Sequence, residues 1–264
     1  MDHDLLQQIL AESFIEKIEW FETIDSTNTY VLQLKSSDDQ LPLLVGAELQ
    51  TQGRGRGQNK WWAGSGALTF SLLLVPETWG ITQAQWPLIS LVTGLALCEA
   101  LSSRIPGVDL RLKWPNDLYA NGRKVCGILL ESNPDHPDRL VIGIGLNVNN
   151  SLADAPVEIQ QIATSLTDLT ASRHDQTSIL IAVLNALSRE LSSLGQNETS
   201  LIPRFRERCY LTGKMISVRD AANDQTGTCQ GIDDDGALRI WTARGPQRVF
   251  AGVVTILSSD NESW

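Results

Sequence analysis

Leu6, Ile9, Leu10 and Phe14 recur at three- and four-residue spacing, which predicts a short amphipathic helix at the start of the chain. "KIEWFETI" then alternates and reads as a strand. "DSTNTYVLQLKSS" reads as a turn into a helix, with Asp25, Ser26 or Thr27 available to cap its first amides. "LPLLVGAELQ" is a strand that runs into a glycine- and arginine-rich loop, and "ALTFSLLLV" is a buried strand after it. Residues 85–104 are apolar nearly all round and predict a long buried helix. Three strand candidates follow, "DLRLKW", "KVCGILLES" and "RLVIGIGLNVN", and then a helix with one leucine-rich stripe in "SILIAVLNALSRELSSL". "TSLIPRFRERC" reads as a short crossing helix.

The texture changes near Gly213. "GKMISVRD", "TGTCQGI", "GALRIWT", "QRVFAG" and "VVTIL" are short strands joined by turns such as "DDDG", a small all-β unit of the SH3-like barrel kind. The order before it, mixed strands with two long helices, fits an α+β domain. The expected division is therefore 1–210 and 211–264.

Composition narrows the chemistry. The chain has 264 residues, 42% hydrophobic and 20% charged, which is ordinary for a globular protein. Its net charge of −10 argues against a general nucleic-acid binder, because phosphate backbones are held by excess Lys and Arg. Neither a basic-then-apolar leader nor an apolar run of roughly 20 residues appears, so no membrane association is expected. Four scattered cysteines without a CxxC pair read as reduced thiols. A cytoplasmic soluble protein is the expectation.

Three clusters carry candidate chemistry. "QTQGRGRGQNKWW" places Gly53 to Gly57 where backbone amides can converge on an anion, with Arg54 and Arg56 beside them. In an extended loop the two arginines would aim at opposite sides, and without ligand the loop has little to bury and should be mobile. It is not a Walker loop and not a GxGxxG at a helix start. In "RLKWPNDLYANGRKVCGILLES" a strand ends at Trp114 and Pro115 stops a regular ladder, leaving Asn116 and Asp117 at a strand end. The plain alternative, a routine β-hairpin turn, is set aside because "KWPND" is so unusual. Lys124 opens the next strand, and Gly127 admits a ligand close to its backbone. In "GIGLNVN", Gly143 and Gly145 interrupt a strand, and alternation puts Asn147 and Asn149 on their face. No nucleophile elbow and no HExxH is present, and His3, His136 and His174 stand apart from every cluster. Neither a covalent enzyme intermediate nor a metal site is expected. Nucleotidyl transfer to a carboxylate suits this inventory, since it demands positioning and charge stabilisation above all.

Taken in order, "DSTN", "GRGRG", "KWPND", "RKVCGILLES" and "IGIGLNVN" resemble the biotin–protein ligases, and "GIDDDGALRI…FAGVVTIL" resembles their C-terminal SH3-like domain. The resemblance covers nearly the whole chain. It implies a mixed-sheet, class II synthetase-like catalytic domain followed by the small barrel. It also implies the ligase-only kind, since the chain starts at the catalytic domain without the winged helix some members carry, so no DNA binding is expected. The implied reaction has two steps: biotin and Mg-ATP give biotinyl-5′-AMP, and a lysine of a biotin carboxyl carrier protein or domain then takes the biotinyl group. By resemblance Ser26, Thr27, Asn28 and Gln50 bind biotin, with Arg54, Gly55 and Arg56 folding over it and Lys124 and Gly127 near its carboxylate. Lys113, Asn116 and Asn147 fall on the ATP side with Mg2+ carried by the nucleotide, and Arg56, Lys124 and Asp117 are the catalytic candidates. Asp117 would orient the incoming lysine or accept its proton. A monomer or a homodimer fits equally.

Two departures stand out. Gln58, Asn59 and Lys60 occupy positions where many members have more arginine, and Ala63–Gly64 replaces the usual Ser-Pro after the tryptophan pair. The second departure leaves the anchoring of the loop open. Among rivals, a lipoate–protein ligase would resemble a different pattern, with a GG-rich turn and a histidine before the paired asparagines. An RG-type nucleic-acid module conflicts with the acidic total. A non-catalytic binder is disfavoured by the presence of both Arg56 and Lys124.

Overall fold

The computed structural model of this chain describes residues 1–34, 40–197, 200–220 and 224–257. Helix α1 (His3–Glu12) is capped by Asp2, whose carboxylate accepts from the Leu5 amide. Strand β1 (Lys17–Ile24) leads to α2 (Thr27–Leu32), with Ser26 as its N-cap. The predicted extension of α2 through residues 35–37 lies outside the described residues. Strands β2 (Leu43–Gln50) and β3 (Leu68–Leu74) flank the Gly/Arg loop, and α3 (Trp86–Ser102) follows with Pro87 in its first turn.

A meander comes next: β4 (Leu110–Lys113), β5 (Asp117–Ala120), β6 (Arg123–Asn133) and β7 (His136–Leu146). Short helices α4 (Val157–Ile162) and α5 (Leu166–Thr170) precede α6 (Gln176–Gly195) and α7 (Leu201–Arg208). The seven strands form one mixed sheet in the order β1-β2-β3-β7-β6-β5-β4, in which only β1 and β2 run parallel.

Alternation divides the two faces of this sheet. Leu44, Leu72, Ile142, Ile144 and Leu146 bury themselves under α3 and α6, whereas Leu43, Val45, Leu73 and Val141 face α2. Residues 83–102 are apolar enough by composition to cross a bilayer, but 67% of that stretch is buried inside the protein, which makes it the central core helix.

The second sheet is antiparallel and SH3-like, ordered β11-β10-β9-β8-β12. Its strands are β8 (Met215–Arg219), β9 (Asp224–Ile232), β10 (Leu238–Thr242), β11 (Gly245–Val249) and β12 (Val253–Ile256). Leu211, Ile216, Cys229 and Leu238 belong to the same apolar cluster as α3 and α6, so one core runs unbroken from the first sheet into the second.

Two expectations change here. "KWPND" is the tight turn of a hairpin after all: Lys113 pairs with Asp117, and β5 begins at Asp117. Pro115 sits in the turn, where it removes no ladder bond. Gly143 and Gly145 do not interrupt β7, which stays paired on both edges through each of them. The four cysteines are free and buried.

Candidate active site

A cleft of about 320 Å³ opens on the α2 face of the large sheet. That is at the lower end of the usual size for small-ligand sites. β7 serves as its ruler. A Cβ at Gly143 would stand 2.1 Å from Asn28 Oδ1, and one at Gly145 would stand 2.4 Å from the Trp61 indole. Glycine is what lets the two side chains lie on the strand. At about 3.3 Å per residue, the Asn28 end and the Trp61 end of the floor are roughly 7 Å apart. Asn147, just past the end of β7, lines the cleft beyond them.

The Asn28 end is built from neutral groups with fixed polarity. Gln50 Oε1 accepts from the Thr27 amide at 2.8 Å and lies 3.1 Å from the Thr27 hydroxyl, which leaves its Nε2 donors uncommitted. The Ser71 hydroxyl sits 2.7 Å from Thr27 Oγ1 and 2.5 Å from Asn28 Oδ1. Asn28 Nδ2 donates to Glu131 Oε2 at 2.9 Å and to the Leu129 carbonyl at 3.4 Å. Carboxylates only accept, so Glu131 decides which way the Asn28 amide faces. Ser71 and Glu131 are absent from the motif reading, yet both leave a trace in the sequence. Ser71 and Thr69 are alternate polar positions in a strand buried throughout, and Glu131 shares the face of Gly127 and Leu129.

The Gly/Arg loop is a small hairpin lying over this floor. Gly55 and Trp61 amides bond to the Asn59 and Gly53 carbonyls, and Arg54 bridges Lys60. These backbone bonds give the loop a defined form where mobility was expected. Gly57 turns it with φ of 62°, a left-handed conformation that favours glycine. The two arginines do diverge, though not by alternation, which puts residues two apart on one face: the chain bends at Arg56 and turns at Gly57. Arg54 reaches Glu131 with both terminal nitrogens, at 2.6 and 3.1 Å. Arg56 donates to the Gly252 carbonyl of the second sheet at 3.2 Å. The Ala63–Gly64 departure has a steric reason, since a Cβ at Gly64 would come within 2.4 Å of the Trp62 ring. Trp61 was not assigned a role from sequence, and its indole N–H is buried and unpartnered.

The far end is cationic. Lys124 Nζ meets Asp117 Oδ1 at 2.6 Å and lies 5.8 Å from the Trp61 ring centroid. Lys113 sits 5.6 Å from the Tyr119 ring. Burial draws the Arg56 guanidinium and the Lys113 ammonium below their ordinary pKa values, and Asp117 opposes the shift in both. Lys124 lowers Lys113 further by like-charge repulsion. Three cations thus face one carboxylate, whereas Arg54 is already neutralised by Glu131. Lys60 also lines the cleft, so positive charge is in excess there.

Every residue assigned from sequence, from Ser26 to Asn147, lines this one cleft. Several are more committed than expected. Asn116 Nδ2 donates to the Ile128 carbonyl at 2.7 Å, and Asn147 is held by Thr164 and Asn150. Space over Gly127 is taken by Lys124 and Trp61, each 3.3–3.4 Å from where a Cβ would be. Asn149 turns away from the cleft, its amide donating to the His174 carbonyl and its oxygen accepting from the His174 amide. A bend at Val148 and Asn149, past the end of β7, breaks the alternation that placed both asparagines together. Trp62, Leu152, Ile159 and Ile162 add an apolar wall that the motifs did not reveal.

Residues 20–149 match the Biotin/lipoate A/B protein ligase family, and residues 212–256 match the Biotin protein ligase C terminal domain. The chain is 32% identical over 235 residues to the biotin–[acetyl-CoA-carboxylase] ligase of Paracoccus denitrificans, covering 87% of this chain and 96% of that one. It is 31% identical to the enzyme of the same name from Mycobacterium tuberculosis, with 81% and 79% covered. The biotin protein ligase of Aquifex aeolicus, solved in complex with biotin and ATP, superposes with a TM-score of 0.79 at 29% identity, over 92% of this chain and all of that one. A neutral polar end, a cationic end and an arginine hairpin over both, on this fold and with these relatives, place the chain in the biotin protein ligase family.

Proposed function

We propose that this chain attaches biotin to a lysine of a biotin carboxyl carrier domain at the expense of ATP, with residues 1–210 as the catalytic unit and 211–264 as its SH3-like companion. The observation that carries the reading is the division of one cleft along β7 into a neutral hydrogen-bonding end and an end with excess positive charge. A neutral ureido ring with an anionic tail matches that division in both chemistry and direction.

In the first step a biotin carboxylate oxygen attacks the α-phosphorus of ATP, the bond to the bridging oxygen breaks, and pyrophosphate leaves. Two negative charges 4 Å apart repel by about 4 kcal/mol at an effective dielectric of 20. One charge-assisted hydrogen bond is worth about 1.5–3 kcal/mol, so a single cation does not suffice. Lys124 and Arg56 supply two at the meeting point, and Lys113 supplies a third on the nucleotide side with Asn116 and Asn147. The apolar wall of Trp62, Ile159 and Ile162 suits a nucleobase. Mg2+ would arrive with the nucleotide, bound chiefly to its phosphates.

In the second step the acceptor amine attacks the acyl carbon, AMP leaves, and the amine loses a proton. Asp117, a carboxylate lining the cleft and held by Lys124, takes it. The hairpin excludes water from the anhydride until the acceptor arrives. The carrier domain is the macromolecular partner, and the four buried thiols suit a cytoplasmic setting.

Pyrophosphate release from ATP in the presence of biotin, lipoate or octanoate tests the reading. Release with biotin alone is the expected result, and release with lipoate or octanoate instead overturns it.

A further inference from the structure

We propose that Glu131 is a positioning and selectivity residue that keeps the Asn28 end of the cleft electrically neutral and so makes ligand entry directional. The proposal rests on the biotin reading above and concerns a residue that does not itself line the cleft.

Glu131 lies on β6 opposite Val141, on the face that carries Gly127 and Leu129. Its two oxygens serve two masters of the site. Oε1 takes Arg54 Nη2 at 2.6 Å, while Oε2 takes Arg54 Nη1 at 3.1 Å and Asn28 Nδ2 at 2.9 Å. The pair is half-sheltered, with side-chain exposures of 41% for Arg54 and 21% for Glu131. Arg54 Nη1 also reaches toward Thr29 Oγ1 at 3.5 Å. Both terminal nitrogens of Arg54 are thereby occupied, and what the residue offers the cleft is its stem and backbone. The arginine that looks from sequence like an anion ligand is cancelled before any ligand arrives.

Removing that cancellation changes what the cleft attracts. With Glu131 in place, the charge excess gathers around Lys113, Lys124 and Arg56, so an anionic group is drawn there and a neutral ring is left for Asn28, Thr27 and Gln50. Without the carboxylate, Arg54 becomes a second anion site at the Asn28 end, and phosphate groups compete for the ring's place. The Asn28 amide also loses the acceptor that fixes its orientation.

Three variants separate charge from shape. Glu131→Gln keeps the volume and an acceptor for Asn28 but leaves Arg54 positive; Arg54→Met leaves Glu131 negative; and the double variant is neutral again. We measure biotin-dependent pyrophosphate exchange, with inorganic phosphate as the competing anion, and the thermal unfolding of each protein as a check on folding. In Glu131→Gln, biotin KM rises at least ten-fold with kcat and ATP KM within two-fold, and phosphate becomes competitive with biotin. Phosphate competition is absent from the wild type, from Arg54→Met and from the double variant, in which the KM rise is largely suppressed. An unchanged biotin KM in Glu131→Gln overturns the inference, as does a rise that Arg54→Met fails to suppress, which is what a purely structural role gives. Should Glu131→Gln unfold, Arg54→Met alone decides: phosphate competition in that variant overturns the inference. Wild-type protein without biotin-dependent exchange removes the functional reading itself, a different failure.

Discussion

Arg54 and Arg56 stand two residues apart in one hairpin and meet opposite electrostatic fates. Arg54 is bound at both terminal nitrogens by a carboxylate on the same sheet. Among the described residues Arg56 donates to a backbone carbonyl, that of Gly252 just before β12, and burial pushes its pKa down against the pull of Asp117. A buried cation without full counter-charge is costly, and it persists where a ligand is to supply the missing charge. The first arginine therefore fastens the hairpin, and in the proposed reaction the second is the one left for the phosphate. The bend at Arg56 and the glycine turn at Gly57 let the same short segment do both, since in an extended strand residues two apart would share one side.

Lys124 is the sharpest way to break the contrast, because it stands at the cationic end of the cleft, where the proposed reaction joins carboxylate and α-phosphate. Lys124→Ala should slow adenylate formation by about 10²–10³-fold, the usual cost of losing one preorganised charge-stabilising group. Presynthesised biotinyl-5′-AMP should still be transferred to the carrier. Normal pyrophosphate exchange in this variant removes Lys124 from the first step.

Arg56→Gly comes next. Losing one charge-assisted bond of about 1.5–3 kcal/mol corresponds to roughly 10- to 150-fold weaker retention of the acyl adenylate. The released anhydride should label lysines of bystander proteins, which mass spectrometry reads directly. Unchanged selectivity for the carrier would show that the hairpin is held by Arg54 alone.

A smaller effect separates the two ends by pH. Lys113 is held below the ordinary lysine pKa by burial first and by Lys124 second. The free protein therefore loses that proton at lower pH than a solvent-exposed lysine, and a bound triphosphate favours putting it back. ATP affinity should be level near neutrality and fall as pH rises through the lowered value, with proton uptake on binding in that window. Biotin affinity, set at the Glu131 end, should not follow. Lys113→Arg should flatten the ATP profile, since a guanidinium stays charged throughout. Titration calorimetry at several alkaline pH values measures both.

The sequence showed the cleft's parts far better than their partners. Period-two alternation in "RLVIGIGLNVN" placed Gly143 and Gly145 on one face because neighbours along a strand are fixed by covalent geometry. Glu131 escaped because its meaning lies in a pairing across 77 positions of chain with Arg54, which no local period reports. β5 escaped for another reason: four residues after a proline are too few to show a period, and only the register with β4 and β6 makes them a strand. α4 and α5, of six and five residues, are short in the same way, and they pin Lys124 and Asn147 through Thr164 and Leu166. Motif chemistry was legible where it was contiguous, and the wiring that sets charge balance was not.

The smallest expected effect concerns the second sheet, on which Arg56 depends and Arg54 does not. Trp114 is buried at the end of the β4 strand, and its indole N–H donates to the Gly236 carbonyl at 3.0 Å, tying the "DDDG" turn to the cleft's edge. Trp114→Phe removes that donor and leaves a buried carbonyl without its partner, which costs about 1–3 kcal/mol. Part of the cost falls on the docking of the second sheet and so on the Gly252 carbonyl that holds Arg56. Unfolding should move to lower denaturant, and ATP KM should rise by about two- to three-fold, the size of a loss well under 1 kcal/mol. Biotin KM should stay where it is, because Arg54 is fastened to β6 and owes nothing to the second sheet. A rise in biotin KM equal to that for ATP would mean that the hairpin moves as one rigid piece, and the contrast between its two arginines would be one of charge alone.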